Sequence, residues 1–530
     1  MSIIVSGIKL GFEVNEEQAV KSALKILKAG KSAVKSARIY KKSIDLRYGN
    51  INKVYSVVVD CENEQKITER LGRNDVRLLP KAADIKITGE RTAETRPIVA
   101  GFGPAGMFAA LVLAENGYRP IVLEKGGAMD KRDRVTQKFF ETGQLDENTN
   151  VQYGEGGAGT YSDGKLTTRI HDSRARLVTK YLLEHGAPPE IDVMAKPHIG
   201  TDLLKGIVVS VRKRIIELGG EVLFDTPVKD IKIQNGAVRS VVTDKGEIPA
   251  ENVILAVGHS ARDIYKCFFD KKIDIIAKNF AVGVRIEHLQ ETINRGLYGK
   301  WLDVYDLPQG EYSLAKTENG RGCYTFCMCP GGHVMACASE AGGTVVNGMS
   351  YHARDGKNAN SAVVVTVSPS DFGDDSPLKG IEFQRKLERA AFETAGGQYK
   401  APVQLFGDFE KGKMSTQFGE VSPTYNRGVS FCDINKILPE FITEEIKSSV
   451  KYFGRKIKGF DGADSVLTAV ESRTSAPVRI VRDGKMESTS CAGLIPCGEG
   501  AGYAGGIMSA AVDGIRAAES IMSRYRPKEN

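Results

Sequence analysis

The sequence predicts an α/β protein: a core built on a parallel sheet, interrupted by a mostly antiparallel insertion and preceded by a small α+β unit. Three observations predict it. An apolar run at Ile98–Ala100 leads straight into a glycine turn and a helix-patterned segment. Two later apolar runs, within 252–258 and 493–497, also end in glycine. Between them lies a long stretch of β-like runs, and ahead of them all a basic segment of different character.

Composition sets the outer bounds. Of 530 residues, 41% are hydrophobic and 26% charged, which excludes wholesale disorder. The 57 glycines exceed the usual share of about 7% and follow no collagen period, so they serve tight turns and close backbone approaches. Lys plus Arg is 73 against 66 for Asp plus Glu, a net +7. Residues 1–96 alone hold 19 basic and 12 acidic side chains, so the whole excess sits there. No apolar run approaches the ~18 residues of a spanning helix, and Met1–Phe12 lacks the basic start and cleavage site of a signal peptide. Nine cysteines with no export signal read as thiols in a reducing cytosol, so the expected compartment is cytoplasmic, with no membrane partner.

In the basic segment, residues 3–13 alternate as a strand, and Glu16–Lys28 carries Val20, Ala23, Leu24 and Leu27 at helical spacing. Strand-like runs follow at Ile39–Leu46 and Lys53–Asp60, then a charged stretch, Glu62–Arg77. This order suggests a small ferredoxin-like α+β domain over residues 1–95. Lys21, Lys25, Lys28 and Lys35 are read as one stripe opposite the apolar face. The plainer reading is a solvated helix face; the other is a grip on a nucleic-acid backbone or an acidic partner.

After Pro97 comes Gly101-Phe102-Gly103-Pro104-Ala105-Gly106, then a helix pattern over Met107–Asn116, then a strand, Pro120–Leu123, closing on Glu124. Strand, G-x-G-x-x-G, helix, strand, acid is the order of a dinucleotide-binding, Rossmann-like unit. Gly101 permits the tight turn, Gly103 lets backbone approach a pyrophosphate, and Gly106 lets helix and strand pack closely. The first-turn N–H groups then face the phosphates with the helix dipole behind them. Glu124 is expected to accept from the adenosine ribose hydroxyls. Gly154–Gly159 and Gly500–Gly505 match the same pattern. The first has neither strand nor helix around it and reads as a loop, and the second has no following strand and acid.

Residues 252–263 (NVILAVGHSARD) form a buried strand ending at Gly258, and residues 493–518 give a strand, a glycine turn with Glu499 and a small-residue helix. With the turn at Gly101, these resemble the signature set of the glutathione-reductase-like FAD superfamily. Segments Gly154–Leu166, Tyr324–Val334, Asn347–Arg354 and Glu471–Ile480 resemble, more closely, a bacterial family of FAD-dependent dehydrogenases. The resemblance implies an FAD-binding domain of ββα type in two parts, 96–277 and 466–530, with a substrate domain inserted at 278–465. It implies cofactor contacts from Gly101, Gly103, Pro104, Ala105 and Gly106, from Glu124 and Lys125, and from Gly157, Gly159 and Ser162 around the pyrophosphate and ribityl chain. The strand starting at Val228 would cover the adenine. Gly258, Glu499, Gly500, Gly506 and Ile507 would hold the flavin end. The sequence departs from the superfamily pattern at Val257, where a threonine is usual, and at Glu499, where an aspartate is usual.

Within 278–465 the β-like runs are Ala281–Ile286, Cys323–Met328, Val334–Ala338 and Ala362–Val367. Cys323, Cys327 and Cys329 share strand parity and are placed on one face, with Cys337 nearby. They read as small buried hydrophobes, as a flavin-facing thiol, or as metal ligands, and the spacing disfavours the last. His333 is a candidate proton donor or a hydrogen-bonded loop histidine. Arg473 is a candidate carboxylate clamp or an ion-pair partner of Glu471 or Asp464. Lys165 could meet a flavin phosphate or close a turn. The catalytic set is therefore Cys327, Cys329, His333 and Arg473, with no metal.

The expected activity is an FAD-dependent oxidoreductase that moves hydride between a small organic substrate and flavin N5. One dinucleotide unit is visible, so if NAD(P)H is the donor it docks transiently over the flavin ring rather than in a domain of its own. The alternatives are a flavin monooxygenase, a flavin-dependent RNA-modifying or RNA-binding protein acting through residues 1–95, and a nucleotide-binding protein without turnover.

Overall fold

The computed structural model describes residues 2–28, 34–79, 83–318 and 320–528. They divide into two compact units, one of residues to Asp84 with Lys165–Ile199, the other of Ile85–Gly164 with Gly200 onward. No helix among the described residues is long and apolar enough to cross a membrane.

In the first unit, strands Ser2–Gly11, Val34–Asp45, Asn52–Cys61 and Val76–Leu79 form one antiparallel sheet in the order second, third, first, fourth. Helix Glu16–Leu27 starts where the Asn15 side chain accepts from the Glu17 N–H at 2.7 Å. It buries Ala19, Ala23 and Leu27 against Val5, Val57 and Val59. The charged stretch after residue 61 holds a second helix, Glu64–Leu71, and the fourth strand. Only Ile67 and Leu71 of that helix reach the core, too few to show a periodicity in the sequence. Two readings change. The helix ends at Leu27 with Lys28 as a left-handed cap, and Lys35 lies on the next strand, so it is not part of the helical stripe. Residues 165–199 belong here and not with 96–164: Lys42 donates to the Val193 carbonyl at 2.7 Å and accepts from the Ala195 N–H at 2.9 Å. The edge strand Val34–Asp45 recruits that segment through backbone bonds, which leave no mark on composition.

The second unit is built on a five-stranded parallel sheet in the order Leu494–Pro496, Val253–Leu255, Ile98–Ala100, Ile121–Leu123, Glu221–Leu223. Helix Pro104–Glu115 is apolar on every side and buried from Ala105 to Ala114. It crosses helix Ile507–Met522 so closely that a Cβ on Gly514 would stand 2.0 Å from the Ala105 carbonyl oxygen. Strands Val228–Gln234, Ala237–Thr243 and Gly246–Pro249 form a separate antiparallel meander.

The inserted half carries a seven-stranded sheet: Ala315–Glu318, Arg321–Cys329, Asn358–Val367, Phe280–Leu289, Val466–Glu471, Ala401–Leu405, Val429–Phe431. All its pairings are antiparallel except the last. One face, with Val282, Val284, Val363 and Val365, packs on helix Glu440–Gly454 through Ile446, Val450 and Phe453. Val466–Glu471 lies inside this sheet, so the insertion runs past 465. The run beginning at Val334 instead forms a two-stranded ribbon, His333–Ala336 with Val346–Met349.

A bulge also corrects the cysteine geometry. Phe326 pairs with Ala362 but Cys329 with Asn360, so Cys327 and Met328 together face one residue, and Cys327 has φ +45°. The extra residue reverses parity. Cys323, opposite Val365, points into the helix-covered core, whereas Cys329, opposite Asn360, lies on the other face.

Candidate functional site

The glycine segments converge at the carboxyl ends of the parallel strands. Gly101, at φ +99°, leaves no room for a side chain, because a Cβ would lie 2.4 Å from the Ala256 carbonyl oxygen. A Cβ on Gly157, at φ +63°, would stand 2.8 Å from the Gly103 Cα. Gly159 borders Ile507 and Pro104, Gly498 borders Ala105, and Gly500 borders the Gly258 carbonyl. Tyr265 ties the last pair by donating to the Gly500 carbonyl oxygen at 2.8 Å. Two helices, starting after Gly103 and Gly506, aim unsatisfied first-turn N–H groups at this place.

Buried side chains hold the turns in position. Glu124 accepts from the N–H groups of Phe102 (2.8 Å), Gly126 (3.0 Å) and Gly154 (2.8 Å), so its carboxylate staples three turns together as well as standing at the strand end. Arg132, with no exposed surface, donates to the carbonyl oxygens of Asn150 (2.9 Å), Val151 (2.8 Å), Glu155 (2.6 Å) and Gly157 (3.0 Å). It is the template of the loop that carries Gly157. Asp513 accepts from the Gly498 N–H at 2.8 Å and from Arg482 through both oxygens, fixing the last turn. Lys125 lies 4.3 Å above the Tyr153 ring and 3.5 Å from Asp263. Ser162 closes its own turn by donating to the Gly159 carbonyl at 2.6 Å. Val228 opens the meander, two residues after Thr226, whose N–H donates to the Glu124 carbonyl.

At the far end Glu499 is partly exposed inside a protein surround. Burial, with Cys327 nearby and Lys278 opposing, pushes its carboxyl up to about 8. On the inserted sheet the fully buried Arg285 donates to Glu471 (3.1 Å), Asn360 (2.9 Å), Asn347 (3.2 Å) and the Cys327 carbonyl (2.6 Å). Burial pushes Glu471 up to about 7 in spite of that guanidinium. Cys329 donates its thiol to the Cys327 carbonyl oxygen at 3.2 Å. Burial keeps His259 neutral, and Arg473 and Arg262 reinforce this, down to about 3.

Two expected catalytic residues are placed differently. Arg473 pairs with neither Glu471 nor Asp464. It donates to both Glu388 oxygens (3.1 and 3.0 Å), to Ser260 at 3.1 Å and to Ser339. Arg262 grips the same Glu388 at 2.7 and 2.9 Å. Arg473 is thus committed to a buried ion-pair network and cannot serve as a substrate clamp. His333 opens the two-stranded ribbon, edge-on to Tyr351 at 6.1 Å, and burial lowers its basicity. Lys165 falls in the first unit, bridged to His198. Arg132, Arg285 and Glu388 escaped the sequence reading, because nothing in a charged helix pattern or an alternating strand marks one member as buried.

Residues 279–474 match the family model described as "FAD-dependent protein, C-terminal domain-like". An uncharacterised protein of Clostridium beijerinckii is 47% identical over 530 residues, covering 99% of each chain. The chain belongs to one family with this Clostridium protein. The match to the family model begins one residue before strand Phe280–Leu289 and ends just past Val466–Glu471, so the family's C-terminal domain contains the whole seven-stranded sheet. Among solved structures, glycine oxidase from Bacillus cereus is similar at a TM-score of 0.31 and 11% identity, over 81% of this chain and 95% of that one. The L-amino acid deaminase of Proteus vulgaris is similar at a TM-score of 0.33 and 13% identity, over 84% and 97%.

Proposed function

We propose that this member of the family is an FAD-dependent oxidoreductase of the glutathione-reductase-like kind, with FAD held along the glycine-lined cradle. The meeting of Gly103 and Gly157 carries the reading: two turns touch through glycine alone, beside two helix N-termini, where any Cβ would fill the space a diphosphate needs. The residues fit the group. Gly101–Gly106 and Gly157–Gly159 offer backbone donors to the pyrophosphate, Glu124 and Lys125 flank the adenosine end, and Val228 lies on the adenine side. Glu499, Gly500 and the helix start at Ile507 lie at the flavin end.

When bound, FAD supplies a two-electron carrier that exchanges hydride with a small organic substrate. The chain supplies the enclosure. The face of the inserted sheet with Tyr324, Phe326, Cys327, Arg285 and Glu471 forms the substrate side, and Glu471, held by Arg285, carries a proton there near neutral pH. Arg285 and Arg473 are fully engaged by protein partners, which supports a substrate gripped by shape and single hydrogen bonds more than by a bidentate carboxylate clamp.

The test is anaerobic titration of the yellow holoprotein with NADH and then NADPH, following flavin absorbance. Bleaching by either establishes NAD(P)H as the transient donor; no bleaching by both assigns the donor role to another reductant. A well-folded protein that stays colourless with excess FAD overturns the reading.

A further inference from the structure

The chain enters the inserted half through strand Ile275–Ala277 and leaves it through Val478–Ile480, and the two pair as an antiparallel ribbon. One face of the ribbon, with Ile275, Val478 and Ile480, is buried in the core of the parallel-sheet half. Alternation puts Ile276, Lys278 and Arg479 on the other face. Arg479 pairs with Ile276, and Lys278 follows two residues on, its N–H donating to the Pro477 carbonyl at 2.9 Å. The ribbon lies against the last glycine turn: a Cβ on Gly502 would stand 2.6 Å from the Val478 carbonyl oxygen and 3.0 Å from the Arg479 Cα.

This face carries two cations and no counter-charge in contact with them. Among the described residues neither Lys278 nor Arg479 forms an ion pair. The half-buried Lys278 ammonium meets only oxygens of Asn279 (3.4 Å), Ser475 (3.5 Å) and Ala476 (3.4 Å), and Glu499 acts on it from beyond ion-pair distance. Arg479 is steadied by its Nε–H on the Gly502 carbonyl at 3.4 Å and by the Tyr503 ring, 5.1 Å from its guanidinium carbon. Its two terminal nitrogens have no acceptor among the described residues. Arg482 supplies the contrast: it lies over the same ring at 3.7 Å, but both its terminal nitrogens are taken by Asp513. Like charges at diagonal positions of one ribbon face repel, and partial burial reduces the screening that water gives them. An anion between them relieves both, and the arginine fork matches a carboxylate or a phosphate.

Resting on the reading of the adjoining turn as the flavin end of the FAD cradle, we propose that Lys278 and Arg479 form an anion subsite beside the bound cofactor. The small molecule that exchanges hydride there carries a carboxylate or phosphate group seated on this pair, with the exposed Ile276 against its apolar part. Arg285 and Arg473 are committed to protein acceptors, so recognition of charge falls to the ribbon. It holds one end of the ligand and leaves the other free to lie over the flavin. The anionic group belongs either to a phosphate-bearing reductant or to an acid substrate.

Calorimetry on the yellow holoprotein, with FAD in place, separates the two sources by probe: inorganic pyrophosphate stands for the first and succinate for the second. At least one should bind, and the tighter of the two identifies the source. Lys278→Gln and Arg479→Gln should each weaken that binding by about tenfold or more, Lys278→Arg should keep most of it, and Arg239→Gln, which removes an exposed arginine from the meander, should match wild type. Failure of both probes to bind, or binding that the two glutamine variants leave unchanged, overturns the proposal while the protein stays yellow and the cradle stands. Loss of FAD from the variants, with no probe bound by wild type, assigns the pair to the cofactor itself and also overturns it. A wild-type chain that takes up no FAD overturns the cradle and the proposal together.

Discussion

The Cα of Gly103 and the position a Gly157 Cβ would occupy are 2.8 Å apart, so the first glycine turn and the loop after residue 150 meet backbone to backbone. This contact joins a turn that has strand and helix on either side to a glycine loop that has neither. Arg132 makes the meeting possible by holding the loop through five carbonyl oxygens.

Gly157→Ala is therefore expected to abolish FAD binding in a chain that still folds. The alanine must adopt φ +63° and push against Gly103. Dialysis against FAD followed by absorbance should show a loss of at least about 100-fold in affinity, with an unchanged circular dichroism spectrum.

Glu124→Ala should cost both stability and cofactor. Three backbone donors lose their acceptor, each buried and unmet at about 1–3 kcal/mol. A lowered Tm of the flavin-free protein separates this from a pure contact to ribose, which would leave that Tm unmoved.

Glu388 neutralises Arg262 and Arg473 together in a fully buried setting, so Glu388→Ala should destabilise the second unit by about 3–5 kcal/mol, read by urea unfolding. Arg473→Gln is expected to be milder. Glu340, half-buried and held at about 2 by Arg385 and Arg262, sets an acid limit on the same network. Its folded value lies below the unfolded 4.5, so its contribution is present above pH 4.5 and is lost as pH falls toward 2. Urea midpoints at pH 5 and pH 3 should differ less in Glu340→Gln than in wild type.

Glu471 acts in the opposite sense. Its folded value of about 7 exceeds the unfolded 4.5, so the native state binds more protons between the two and stability falls as pH rises across that window. Glu471→Gln should flatten this decline in the flavin-free protein. An unchanged slope would mean that Arg285 keeps the carboxylate ionised throughout.

Thiol labelling reads the bulge directly. Among the nine cysteines only Cys327 and Cys267 are partly exposed, and burial with the Asp230 hydrogen bond pushes Cys267 up to about 12. A small maleimide should modify Cys327 first, bound FAD should slow it, and Cys329 should react only on unfolding. Peptide mass spectrometry distinguishes the three.

The parts legible in the sequence are those where chemistry demands a residue type locally. Gly101 and Gly106 abut the neighbouring backbone, and the pattern strand, turn, helix, strand, acid reports that demand within thirty residues or so. What stayed hidden depends on distant partners. Glu388 lies 126 residues from Arg262 and 85 from Arg473, and no spacing rule links them. Parity placed Cys323 and Cys329 together because a bulge is invisible until the register against Asn358–Val367 is known. The end of the inserted half was set too early because Val466–Glu471 looks the same whether it pairs with Phe280–Leu289 or with a parallel sheet.

The strand order of the parallel sheet also constrains biosynthesis. Leu494–Pro496 docks beside Val253–Leu255, which in turn docks beside Ile98–Ala100, a strand translated roughly 400 residues earlier. During synthesis the free edge of Val253–Leu255 stays uncovered until residues 494–496 have left the ribosome, so the cradle closes long after its first turn is made, and nicking near Gly493 should leave the inserted sheet ordered but the cradle open.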